Sequence, residues 1–432
     1  MSMQRMGSAD AGYAALVNNG YVTCGIPQSL FDLTAGTTPP EQLLPGRTGR
    51  NATLPYNQTA FVTASGVNVV STNCLQCHAE RLGNTLYVGL GAANADFTVV
   101  TQTANIGAQL GFLIGNPTEK AEWAKWSQRM SAVAPYTNTD TLGVNPADNL
   151  TAVLFAHRDP VTLAWSDTPT LPLPPNSPLP VDVPPLWRMA KKRSMFYSSS
   201  GRGDHSRIMM SASMLCTDTV AEATAIDAYF PDVRAYLMSI APPKFPNAVD
   251  MTKAQAGEAV FVKACSFCHG TYGAGGSYPN LLIPVSEVKT DPELSKGIQF
   301  ASDYLTWWSK SFYGKLGEFA AHEGYVPPPL DGIWATAPFL HNGSVPTLAA
   351  LLDSKLRPAV WSRSFSPTDY DFAAVGWKHT VVQGRKADEQ DATARKKIYD
   401  TLRTGYSNAG HTYGDALTSD ERAQVLEYLK TL

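Results

Sequence analysis

Cys74-Leu75-Gln76-Cys77-His78 and Cys265-Ser266-Phe267-Cys268-His269 are the two stretches that decide how this chain is read. Cys-x-x-Cys-His is the pattern of covalent haem attachment. Its two thiols add to the vinyl groups on one porphyrin edge, and the adjacent histidine reaches the iron. One zinc ion held by both cysteine pairs, or a thioredoxin-like redox pair, are the competing readings. Either leaves the histidine after each pair unexplained. The expectation is two covalently bound haem c groups. Cys74, Cys77 and His78 hold the first, Cys265, Cys268 and His269 the second, with His78 and His269 as axial iron ligands. Cys24 and Cys216 are left over. A buried free thiol each is the default, and a disulfide between them the alternative.

The rest of the composition agrees with a folded, loop-rich protein. The chain has 432 residues, 44% of them apolar, enough for more than one hydrophobic core. Formal net charge is -3 with 16% charged residues, so no basic footprint points to nucleic acid. Gly (33) and Pro (31) are both abundant, which favours long loops over a bundle of long helices. No run of about 20 apolar residues occurs, so no transmembrane segment is expected. Haem is attached in this way outside the cytoplasm, which predicts a periplasmic protein. The start at Met1-Ser-Met-Gln-Arg has no apolar h-region, so either a signal peptide has been removed or the start was made for expression.

Working outward, residues 1–70 are polar and turn-rich and offer no confident element. The stretch after the first haem unit, with Trp123, Trp126 and Trp165, reads as irregular. Prolines crowd 168–185, where neither helix nor central strand can persist, and an extended connection is expected. From Asp218 to Ile240 the text is helical, with Pro231 in the first turn of a helix and Val233, Tyr236, Leu237 and Ile240 at three-to-four spacing. A second helix, with Thr252 as N-cap, runs into Cys265. Thr418 and Glu421 have capping-box spacing before Val425, Tyr428, Leu429 and Leu432. Val233-Arg-Ala-Tyr-Leu and Val425-Leu-Glu-Tyr-Leu read as one closing helix used twice, each packed across the helix that leads to a haem. The fold class expected is mainly α with long loops: two cytochrome c-type domains, 1–243 and 244–432, each around one covalent haem.

The run Asp331-Gly-Ile-Trp-Ala-Thr-Ala-Pro-Phe-Leu-His-Asn-Gly-Ser-Val-Pro-Thr-Leu348 resembles the signature of the di-haem cytochrome c peroxidase superfamily. Gly201-Arg-Gly-Asp-His205, His269-Gly-Thr-Tyr-Gly273, Tyr278-Pro-Asn-Leu-Leu-Ile-Pro-Val-Ser-Glu287 and Gly410-His-Thr-Tyr-Gly414 resemble its rubber oxygenase branch. The resemblance covers about 180–432, and rubber oxygenases are considerably longer than this chain. It implies an oxidoreductase in which one haem stores or relays electrons and the other offers an open iron. The reaction implied first is peroxide reduction at the N-terminal haem. Oxygenation of an apolar organic substrate by dioxygen, or electron transfer alone, are the alternatives. A small soluble donor such as a cytochrome or cupredoxin is the implied partner, and the family also raises a calcium ion.

The same resemblance distributes the remaining histidines. His411 matches the distal ligand of the second haem, with His322 as runner-up, and His341 falls where a propionate or the loop is supported. The loop at 168–182, where peroxidases carry the distal histidine of the first haem, contains none; His157 and His205 lie off that position. An open or water-bound N-terminal iron follows. Trp187 and Tyr197 are the candidates for an inter-haem relay, with plain core packing as the alternative for both. No acid matches the family's peroxidatic carboxylate, and the Met and aromatic residues of 187–214 suit a channel wall or a core.

Overall fold

The computed structural model describes residues 4–100, 115–297 and 300–432. The chain is mainly helical, with small open sheets between the helices. Two crossed helix pairs frame it. Helix α1 (Ala9–Asn18) packs on a helix at Phe230–Ser239, and a helix at Met251–Ala264 packs on one at Ser419–Leu429. The crossings are made the same way. A Cβ at Gly12 would collide with the backbone of Asp232, and one at Gly257 with the backbone of Gln424. Ala9-Asp-Ala-Gly12-Tyr-Ala-Ala-Leu-Val17 and Ala254-Gln-Ala-Gly257-Glu-Ala-Val-Phe-Val262 therefore repeat each other, with glycine where two backbones touch.

Several expectations need correction. Residues 1–70 hold α1 and a three-stranded antiparallel sheet of β1 (Ile26–Pro27), β2 (Gln58–Val62) and β3 (Asn68–Thr72), with β3 central. The Trp123–Trp126 stretch is not irregular. It belongs to α2 (Pro117–Thr137), which starts with Pro at N1 and an Asn116–Glu119 capping box, a start signal present in the sequence. α3 (Ala147–Ala156) follows. The helical text after Asp218 resolves into α4 (Val220–Asp227) and α5 (Phe230–Ser239). α6 (Met251–Ala264) is capped by Asp250, whose side chain accepts from the Lys253 amide, and not by Thr252. α7 (Ser302–Lys310) and α8 (Ser419–Leu429) complete the main helices, and the Thr418–Glu421 box caps α8. α8 does cross the helix leading to the second Cys-x-x-Cys-His unit, but α5 crosses α1, and β3 leads to the first unit. Residues 168–185 form no helix or strand, as the prolines require.

The cores interlock. Trp307 and Trp308 of α7 sit against Phe155 of α3, with rings stacked at 4.4 Å for Phe155 and Trp307, and Met210 and Met214 are buried in this cluster. Those two methionines are core, not channel wall. Leu82, Leu90 and Trp187 join a second cluster with Phe261, Trp334, Trp377 and Leu429. Cys24 and Cys216 form a disulfide, Cα atoms 5.5 Å apart, so the free-thiol default is overturned. The bond ties the loop before β1 to the segment before α4.

Candidate functional site

Each Cys-x-x-Cys-His unit forms a single helical turn, Leu75–His78 and Ser266–His269, which throws its histidine towards the interior. Burial lowers both histidines to about 4. Both nevertheless keep some accessible surface. The ring Nδ1 of His269 lies 2.9 Å from the Pro328 carbonyl, which fixes the ring and leaves Nε2 for another partner. Pro184 presents its carbonyl to His78 in the same sense, though without a formed hydrogen bond. Pro184-Pro185-Leu186 and Pro328-Pro329-Leu330 thus repeat one pattern, with the first carbonyl towards the histidine.

Opposite His269 stands His411, ring centres 6.1 Å apart. Two imidazoles on one metal, with bonds of about 2 Å each, place their centres about 6 Å apart. The donor set and its spacing fit an iron between them. His411 is held by its turn. Its amide donates to Val288 O (2.8 Å), and Arg357 donates to the carbonyls of Asn408, Gly410 and His411. Gly410 has φ 73° and a Cβ there would strike Lys289 and Thr290, so only glycine lets the turn approach. Burial, then the neighbouring His269, pushes His411 down to about 3. His322 lies elsewhere, beside Arg202 and Glu318.

Nothing equivalent faces His78 among the described residues. His157 stacks on Trp165, His205 meets the Arg193 carbonyl, and His379 meets the Trp377 carbonyl. His341 is buried against Tyr325 with ring centres 4.1 Å apart, and burial lowers it to about 3. Tyr197, 6.4 Å from the His341 ring, donates to Asp182 at 2.9 Å. Burial raises that carboxyl to about 8. Sequence reasoning missed Asp182, which lies two residues before Pro184.

Trp187 lies between the two units. A Cβ at Gly89 would be 3.5 Å from its ring, and one at Gly332 3.1 Å, so a glycine from each half admits the indole. The Gly89 amide donates to His78 O, and Trp187 Nε1 donates to Asp331 O, both at 2.8 Å. Beyond Asp331, the Leu330 amide donates to the Tyr272 hydroxyl, which donates to His269 O. Hydrogen bonds thus join Gly89 to His78 and, through Asp331, Leu330 and Tyr272, Trp187 to His269. Arg188 follows the indole, buried, and donates to Thr336. No cluster of three or more His, Cys, Asp or Glu side chains suited to an ion occurs among the described residues. No helix there is long and apolar enough to cross a membrane.

The family described as RoxA-like, cytochrome c-like matches residues 324–362, the segment that carries Pro328 and the Asp331–Leu348 run. An uncharacterised protein of Sinorhizobium fredii, y4iJ, is 29% identical over 259 residues, covering 44% of this chain and 41% of its own length. A second from that organism, y4iM, is 27% identical over 296 residues, covering 58% of this chain and 64% of its own. The matches thus span less than two thirds of either relative. The match to this cytochrome c-like family suggests a general redox role.

Proposed function

We propose that the chain is an exported di-haem oxidoreductase of two domains, 1–243 and 244–432, which reduces hydrogen peroxide at the haem of Cys74, Cys77 and His78. The haem of Cys265 and Cys268, ligated by His269 and His411, is the electron store. The reaction is H₂O₂ + 2 e⁻ + 2 H⁺ → 2 H₂O, with electrons from a small soluble donor. Bound haem supplies the iron at which the O–O bond breaks, and axial ligation decides which iron is free to do so.

The observation that carries this reading is the asymmetry of the histidines: one faces His269 at 6.1 Å, and among the described residues none has a ring contact with His78. Trp187 supports the peroxidase choice. A two-electron reduction fed by a one-electron store needs a route between sites, and its indole lies beside Gly89, which bonds to His78 O, while it donates to Asp331 O. Asp182, raised to about 8, holds a proton near neutral pH beside the segment that faces His78, and Tyr197 orients it. His341 and Arg188 support the haem edges and the loop.

Oxygenation of an apolar substrate is the second reading. It is favoured by the RoxA-like match at 324–362 and by a groove of about 760 Å³ walled by Leu43, Leu44, Leu86, Val88 and Trp187. Rapid mixing of the two-electron-reduced protein with one equivalent of peroxide decides between them. Stoichiometric oxidation of both haems supports peroxide reduction. Slow, incomplete oxidation, with dioxygen taken up only when an apolar alkene is present, supports the oxygenase.

A further inference from the structure

Asn145 Nδ2 lies 3.1 Å from Cys77 Sγ. The residue is buried, and its amide donates to Val181 O at 3.0 Å in a short antiparallel bridge, so the side chain is set by its backbone.

The second unit differs. No side chain donates to Cys265 or Cys268 among the described residues, and the Glu287 carboxylate helps raise the Cys268 thiol. A thiol both donates and accepts, whereas a thioether sulfur only accepts. Asn145, through its NH₂, is therefore suited to the attached state. Hydrogen bonds to sulfur withdraw electron density and favour the reduced group; a nearby carboxylate favours the oxidised one.

We propose that Asn145 is a positioning residue for the first haem, donating to the thioether sulfur of Cys77 and raising the reduction potential above that of the second. Electrons then run downhill from the store to the reacting site. The inference rests on the two-haem reading above.

The test is a spectroelectrochemical titration of the holoprotein and of Asn145→Leu and Asn145→Ser, following high-spin and low-spin bands separately, with haem content read from denatured mass. The expected result is a lower potential for the first haem in Asn145→Leu, a smaller drop in Asn145→Ser, and an unmoved second haem. Two attached haems with unchanged potentials, or equal shifts in both, would overturn the proposal. Wild-type protein whose denatured mass carries no haem would overturn the two-haem reading itself, and this inference with it.

Discussion

The two Cys-x-x-Cys-His units share parts but not assembly. In the second, Gly257 of the crossing and Cys265 lie on one helix and its end, and the facing His411 sits just before the closing helix. In the first, the matching glycine, Gly12, is separated from Cys74 by a three-stranded sheet, and the residues around the cysteines come from the N-terminal loop, from Asn145 and from the proline-rich connection. A compact unit whose histidine ring is already matched by another is built to keep its coordination. A unit assembled from distant segments can leave one face open while controlling what surrounds it.

The largest effect should come from cysteine removal. Cys74→Ala with Cys77→Ala, or Cys265→Ala with Cys268→Ala, each leaves a denatured mass lighter by one haem; an unchanged mass breaks the comparison at its base. Next, His411→Ala should turn the low-spin ferric signal of the second haem high-spin with haem content intact. If His322→Ala does so instead, the pairing at 6.1 Å is not ligation.

The glycine crossings sharpen the contrast. Gly257→Val and Gly12→Val each force a side chain into facing backbone and should cost about 3 kcal/mol. Chemical denaturation measures this. Only Gly257→Val should also reduce haem incorporation, because only its helix ends at a haem cysteine. A further effect is on pH. His341 is lowered by burial from 6.5 to about 3, so the unfolded chain binds the extra proton between those values. Stability from keeping this ring neutral is complete above pH 6.5 and is lost as pH falls towards 3. His341→Phe should flatten that part of the stability curve, and an unchanged slope would show that the ring does not titrate on unfolding.

Much of the second site was legible in the sequence because its signals are local. The Thr418–Glu421 box, the α6 stripe and the Gly410-His411 turn can each be read within a dozen residues. What makes glycine necessary at 410, the backbone of Lys289 and Thr290, is 120 residues away in the chain. The first site was legible only at its motif. α1 carries Ala and Gly where a helix is usually recognised by larger apolar residues, because it packs backbone to backbone on α5. α2 mixes Lys, Glu and Trp and contains Pro135, which hid a 21-residue helix despite its capping box. Asn145 is an ordinary polar residue until the fold brings it to the Cys77 sulfur. Trp187 stood out as a tryptophan, but the glycines on either side of it, Gly89 and Gly332, belong to different halves.

The division of labour between an open first iron and a closed second one is tested most directly by low-temperature ferric EPR during a cyanide titration. The resting protein should show one high-spin and one low-spin haem in equal amounts, and the first equivalent of cyanide should convert the high-spin signal alone. Two low-spin signals before cyanide, or conversion of the signal that His411→Ala alters, would contradict the account.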